Sequence, residues 1–304
     1  MKKHDRRDIA TYCLFVIPGL LIYLLIVAYP IVYSVLLSFS DFNPNRGGKW
    51  NFTGLVNYKN MITNPAFWNA LKNNMIIVAV SLLGQIPIGF LLAFILYRKR
   101  IKGRSFFQSM VFLPQFLSTI VIGILWRMLF SADGPVSGLM QWISGNPEAQ
   151  CKVMLNKSTA MIPIAIALIW MYTGMYMIIF LANLQKIDDS MLEAAKIDGA
   201  TEGKIFRSIV MPLLAGTILI SAILAIAGSL KSFALIYAIA PDGLVQQNVE
   251  VLSVFMYRTA FNNYSNPLRY AFGAAISNTI VLISALMIVL SKIVGKKLGT
   301  EEEY

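Results

Sequence analysis

Residues 186–214 read KIDDSMLEAAKIDGATEGKIFRSIVMPLL. Local chemistry divides this stretch into a helix, a turn and a second helix. Ser190-Met191-Leu192-Glu193 has the form of a capping box, in which the Ser190 hydroxyl accepts from the Glu193 N–H and the Glu193 carboxylate reaches back to the Ser190 N–H. Asp188 and Asp189 stand where acidic groups favour the helix dipole. Ala194 and Ala195 are strong helix formers with almost no side chain. Gly199 suits the left-handed residue that ends a helix, and Thr201 can cap the next one, which runs into the apolar Ser208–Leu213. Such a polar loop in an otherwise very apolar chain has little reason to exist unless something docks on it.

The rest of the chain supplies the contrast. Of 304 residues, 57% are hydrophobic and 13% charged, where a soluble domain has about 25% charged. Six stretches carry no Asp, Glu, Lys, Arg or His: 9–40, 73–97, 105–126, 158–185, 208–230 and 270–291. Each is longer than the roughly 20 residues that cross a bilayer as a helix. We therefore expect one all-α integral membrane domain over 1–304, with spans near 11–38, 73–97, 105–129, 158–183, 208–235 and 270–291 and the polar loop at 186–209. The N-terminal MKKHDRRD resembles the start of a signal peptide, but the 32-residue apolar run behind it points to an uncleaved first span.

Charge sets the expected orientation. With the N-terminus inside, the short segments 1–8, 98–104, 186–207 and 292–304 carry 16 Lys and Arg in 50 residues, and the outer segments carry 10 in 102. This bias places both termini in the cytoplasm. The net charge of +11 then reflects anionic lipid headgroups rather than nucleic acid. Cys13 and Cys151 fall at different depths, so no disulfide is expected.

The chain lacks the means to do chemistry by itself. There is no G-x-x-x-x-G-K-[ST] phosphate loop. The one histidine is His4, no Cys/His/carboxylate cluster could hold a metal, and no nucleophile sits beside a base. Gradient-driven carriers place ionisable groups inside their spans, and these spans are nearly free of them. An external ATPase is the better energy source, and no catalytic or metal-binding residue is expected here. Polar and aromatic residues within the spans are candidates for a substrate path: Gln85, Gln115, Trp126, Trp170, Tyr172, Asn183 and Asn278. Each amide could equally bond a neighbouring helix, Trp126 could be an interfacial anchor, and Lys231 and Arg127 read best as side chains snorkelling to headgroups. Pro18, Pro30, Pro87, Pro114, Pro163 and Pro212 interrupt the spans, either as hinges or as ordinary curvature.

Glu193-Ala194-Ala195, Gly199, Ile209 and Pro212 together form E-A-A-x3-G-x9-I-x-M-P, which resembles the EAA loop of ABC-importer permeases with Met211 where Leu is usual. PGLLIYLLIVAYPIVYSVLLSFS (18–40), FTGLVNYKNMITNPAFWNALKNN (52–74), KGRSFFQSMVFLPQFLS (102–118) and LANLQKIDDSMLEAAKIDGA (181–200) resemble carbohydrate-uptake permeases in order and spacing, closer to the maltose-permease F-type half than to the G-type half. The chain departs from that pattern at KSFALIYAIAPDGLVQQ (231–247), where relatives often carry an acidic residue and then Gly-Gly-Pro.

The resemblance implies a six-span type I importer permease fold in the cytoplasmic (inner) membrane of a bacterium. It implies a second, non-identical permease half, a dimer of cytoplasmic ATPases that bind ATP and Mg, an extracytoplasmic solute-binding protein, and a sugar as cargo. Glu193, Ala194, Ala195, Gly199, Ile209 and Pro212 would be the ATPase-coupling residues. Glu193 has two compatible readings, contact with the ATPase or completion of the capping box. Glycerol phosphate or another polar solute remains an alternative cargo, and a self-sufficient secondary carrier an alternative class.

Overall fold

A computed structural model of the chain describes residues 6–42, 48, 50–98, 102–241, 247–261 and 269–297. His4, and the turn and linker segments expected at 43–48, 98–104, 241–243 and 262–267, lie wholly or partly outside these residues. Among the described residues the chain is helical, with a single isolated bridge between Ser40 and Phe52.

In chain order the helices are α1 (Thr11–Ser38), α2 (Val56–Ile62), α3 (Pro65–Tyr97), α4 (Arg104–Phe116), α5 (Thr119–Leu129), α6 (Pro135–Ser144), α7 (Met161–Leu184), α8 (Asp189–Ile197), α9 (Glu202–Leu213), α10 (Ala215–Leu230), α11 (Ala234–Ile239), α12 (Leu252–Phe261) and α13 (Tyr270–Lys297). α1, α3, α7 and α13 are each long and apolar enough to cross a bilayer. α4 with α5, and α9 with α10, bring the number to six as bent pairs. The most apolar stretch of α1 buries none of its residues. Apolar surface costs about 25 cal/mol per Å² in water, so this helix belongs in lipid or against another chain.

Proline decides where the helices deform. Tyr29 donates to Leu24, Ile86 to Ser81 and Met211 to Phe206, each five residues back rather than four. The next residue in each case is a proline: Pro30, Pro87 and Pro212. A proline has no N–H and its ring crowds the carbonyl four residues back, so the preceding turn widens into a π turn. At Pro114 the outcome is sharper. A 3₁₀ turn covers Leu113–Phe116, Leu117 and Ser118 are extended, and α4 and α5 meet at 93°. The stretch 105–129, expected as one span interrupted by Pro114, is thus bent sharply into two helices. α9 and α10 meet at 60° near Leu214, just past Pro212. Pro163 sits in the first turn of α7, where its missing N–H would have had no partner in any case.

Two compact units make up the fold. One comprises Met1–Pro65 with Met256–Thr279, and the other Ala66–Phe255 with Ile280–Tyr304. In the first, Asn278 Nδ2 donates to the Ser34 carbonyl at 3.3 Å and ties α13 to α1. In the second, α7 is the central post. Gly89 of α3 and Gly174 of α7 set the spacing: a Cβ on Gly89 would lie 2.8 Å from Tyr176 Cβ, and one on Gly174 would collide with Val111 O and Phe112 Cα. Glycine alone lets α3 and α4 approach α7 so closely.

Two apolar clusters surround α7. One joins Ile77, Ile122, Ile164, Leu168, Leu235 and Ile239. The other joins Ile86, Ala93, Phe180, Leu184, Ile205 and Leu214. Buried amides stitch the first to a later segment. Asn73 Nδ2 donates to the carbonyls of Asn248 and Glu250 at 3.0 and 2.9 Å, while Asn74 Oδ1 accepts from the Leu252 N–H at 2.8 Å. Asn248 in turn donates to the Leu155 carbonyl at 2.9 Å. Backbone that is not helical at this depth needs such partners.

Candidate functional site

The polar loop folds as a capped helix on an apolar base. Nine residues make a marginal helix alone, so its ends and its inner face carry it. The N-cap is Asp188, with extended backbone (φ −67°, ψ 122°), and its Oδ1 accepts from the Ser190 N–H at 2.9 Å. This corrects the expected Ser190–Glu193 capping box. The helix starts earlier, Ser190 lies inside it, and the N–H that Glu193 was to accept is already taken. The same bond holds the Asp188 carboxyl below the ordinary carboxylate range.

At the other end Gly199 takes φ +77°. The Ala200 N–H donates to the Ala195 carbonyl at 2.9 Å and the Gly199 N–H to the Lys196 carbonyl at 3.0 Å. These are the two bonds of a Schellman cap. Thr201 Oγ1 then accepts from the Lys204 N–H at 3.4 Å and starts α9, as expected.

Leu192, Ala195, Ala200, Phe206 and Ile209 pack against the second apolar cluster. Phe206 lies between Phe90 and Phe94 of α3, at 5.9 and 5.3 Å between ring centroids, and Phe90 meets Phe180 of α7 at 5.3 Å. The Tyr97 hydroxyl donates to Asp189 Oδ1 at 3.3 Å. The loop is thus bonded to α3 and packed against α7. Its other face is open. Met191, Ala194 and Ile197 recur every three residues on the outside, Ile197 is 86% exposed, and Glu193 is exposed with no side-chain partner among the described residues. Pro212 shapes the helix that leaves the loop, through the π turn before it.

A second feature is a cavity of about 380 Å³ within the larger unit. Ser81 and Gln85, the first and last residues of the π turn in α3, both line it, four positions apart on one helix face. Thr119 begins α5 at its wall, and Tyr172 and Tyr176 face it from α7. Gly228 and Ser229 of α10 follow, then Lys231, Ser232 and Phe233 where the helix has ended. Ser81 Oγ and Ser229 Oγ are 3.0 Å apart, and Asn74 Nδ2 donates to the Ser229 carbonyl at 3.1 Å.

Of the sequence-derived path candidates, Gln85 and Tyr172 meet at this cavity and the others do not line it. Gln115 buries its Oε1 without a hydrogen-bond partner among the described residues. Asn183 bonds its own helix, donating to the Ile179 carbonyl at 2.9 Å. Asn278 is engaged with Ser34. Trp170 is 46% exposed and tilted against Trp126, with centroids 6.3 Å apart. Lys231, read from the sequence as snorkelling to headgroups, is exposed and also lines the cavity. Sequence reasoning passed over Ser81, Thr119, Tyr176, Ser229 and Ser232. The one available signal was Pro87, which marks the π turn behind it.

Residues 85–300 match the family model described as binding-protein-dependent transport system inner membrane component. A probable ABC transporter permease protein of Pyrococcus horikoshii is 31% identical over 97% of this chain and 98% of its own length. The lactose transport system permease protein of Rhizobium radiobacter is 31% identical over 90% of each chain. The arabinooligosaccharides transport system permease protein of Bacillus subtilis is 30% identical over 91% of this chain and 85% of its own. Among solved structures, a bacterial ABC transporter involved in the import of the acidic polysaccharide alginate has a chain of the same fold, with TM-score 0.82 at 21% identity over 96% of both chains. A crystal form of the alginate transporter in complex with an alginate pentasaccharide-bound periplasmic protein gives 0.81 at 20% identity over 98% of both chains. The fold is that of a type I ABC importer permease, and the chain belongs to the family of binding-protein-dependent transport system inner membrane components.

Proposed function

We propose that this chain is the membrane-spanning permease subunit of an ATP-driven sugar importer, with an oligosaccharide as the favoured cargo. The observation that carries the reading is the loop Asp188–Thr201, capped at both ends, fixed to α3 and α7, and open on the face that bears Met191, Glu193, Ala194 and Ile197. A rigid lever with one free apolar face fits a surface that receives force from another protein. The sugar assignment rests on relatives named for lactose and arabinooligosaccharides.

In this reading Glu193, Ala194, Ala195 and Gly199 form the docking helix, and Ile209 and Pro212 join it to the membrane helices. Two cytoplasmic ATPases bind ATP and Mg and supply the stroke. A second, similar permease half completes the path, and an extracytoplasmic binding protein delivers cargo. Both termini face the cytoplasm, as the basic segments favour. The π turns and the two bent helix pairs are where the path can alternate its opening. This chain contributes no catalytic group.

The test is uptake of labelled sugar by the assembled importer carrying Glu193→Lys or Gly199→Trp. Both variants should reach the membrane and lose uptake. Wild-type uptake in either would remove the docking assignment. Uptake by the purified chain alone, driven by an ion gradient, would instead favour a self-sufficient carrier.

A further inference from the structure

Among the described residues the cavity wall has one charge. The polar side chains there are Ser81, Gln85, Thr119, Tyr172, Tyr176, Ser229 and Ser232, all neutral, together with Lys231, and no carboxylate of the described residues lines it. Lys231 is the residue at which α10 ends (φ −91°, ψ −1°). The last carbonyls of a helix favour a cation there. The side chain is exposed and makes no ion pair among the described residues.

An amine in a water-filled cavity is hydrated. When cargo fills the cavity and expels that water, the amine needs a new acceptor, because a desolvated, unpaired charge is costly. A sugar hydroxyl offers only a neutral acceptor. A carboxylate or a phosphate ester offers a charge-assisted bond of about twice the strength. A wall without carboxylates also repels no anion. The π turn adds neutral donors, Gln85 and Ser81, on the α3 side of the same space.

We infer that Lys231 is the anion-recognising residue of this cavity and that the cargo is a saccharide or polyol bearing a carboxylate or phosphate. The inference rests on the importer reading and narrows its substrate class. The cavity volume of about 380 Å³ falls within the range of pockets for small ligands.

The experiment measures binding to the assembled importer in lipid nanodiscs, without binding protein, of two matched pairs: digalacturonate with galactobiose, and glycerol 3-phosphate with glycerol. In the wild type the anionic member of at least one pair should bind roughly tenfold more tightly than its neutral counterpart, as expected for one hydrogen bond to a charged group. Lys231→Met should abolish the preference and Lys231→Arg should keep it, with assembly of each variant checked by co-purification of the ATPase. Equal binding of the neutral and anionic members in both pairs overturns the inference and leaves the importer reading intact. So does an anion preference that survives Lys231→Met. Failure of all four probes to bind also overturns the inference, while the importer reading is decided separately by the uptake test. If Lys231→Met does not assemble, Lys231→Gln provides the same neutral side chain with a polar end.

Discussion

Phe206, at the foot of the polar loop, meets Phe94 of α3 edge to face, with ring centroids 5.3 Å apart at 71°. This contact ties the polar loop to a membrane helix. Phe206 also opens the π turn Phe206–Val210, so the aromatic anchor and the widened turn of α9 coincide. Removing the ring should separate docking from transport. Phe206→Ala is expected to weaken the base by the aromatic-pair contribution of about 0.5–1.5 kcal/mol plus lost burial. ATPase binding should persist while uptake falls several-fold, and Phe206→Leu should restore most of it. Co-purification and uptake on the same preparations separate the two effects.

Gly199 tests the loop from its backbone. Its φ is +77°, yet an added Cβ would meet nothing within 4 Å. The cost of Gly199→Ala is therefore conformational, about 1–2 kcal/mol for a left-handed residue, and Gly199→Asn should cost less. Hydrogen exchange of the 188–201 amides should rank the three as Gly, Asn, Ala in falling protection. Equal protection in all three would mean that the Schellman cap does not hold the loop.

Asp188 makes the loop sensitive to acid. Its carboxyl is held below its ordinary value chiefly by the Ser190 N–H, with a further contribution from the Ser190 side chain. A depressed folded-state pKa gives stabilisation that is complete above the unfolded value, near 4, and is lost as pH falls through the folded one. The start of α8 should fray below about pH 4 in the wild type, and Asp188→Asn should flatten that response. Amide exchange of Ser190 and Met191 measured against pH gives the answer.

Two glycines should behave oppositely. Gly174 is packed against the α4 backbone, so Gly174→Ala forces α4 and α7 apart. The expected cost is about 1–3 kcal/mol, seen as lower abundance in the membrane and a lower melting temperature. Gly228 lines the cavity with nothing within 4 Å of a Cβ. Gly228→Leu should fold normally and impair uptake by filling the cavity. A folding defect at Gly228 or tolerance at Gly174 would contradict this packing.

Asn74 joins α3 to the end of α10 and the start of α12, donating to the Ser229 carbonyl at 3.1 Å and accepting from the Leu252 N–H at 2.8 Å. Asn74→Leu leaves the Leu252 N–H buried without its partner, at about 1–3 kcal/mol, while the Ser229 carbonyl still accepts from the Ser232 N–H at 3.3 Å. It should cost more stability than Asn183→Leu, which removes a bond within one helix. Thermal unfolding of the two variants in the same detergent makes the comparison.

Much of this molecule was legible in its sequence because the relevant forces are local. Runs without charge set which segments can enter lipid, and the basic segments set the expected orientation. Gly199 and Thr201 declared the turn between α8 and α9 by backbone sterics and side-chain length alone. Prolines marked where helices deform, although not by how much. Pro87 and Pro212 produce π turns, while Pro114 precedes a right-angled break. The sequence misplaced the cap of α8, because Asp188 and Ser190 are both good caps and the competition between them is settled by where the helix begins.

Tertiary structure decided the cavity. In water, a helix advertises its buried face by polar residues on the other side. Met161–Leu184 is apolar all round because lipid and protein are both apolar, so nothing in its pattern says which residues turn inward. Tyr172 and Tyr176 face the cavity and Trp170 does not, purely from the rotation of α7 against α3 and α10. Lys231 likewise looks like any snorkelling lysine until the end of α10 is placed beside Gln85 and Tyr172. Propensity, charge and proline act along the chain and can be read there. The convergence of side chains from α3, α5, α7 and α10 depends on how helices pack across it, and only the folded structure shows that.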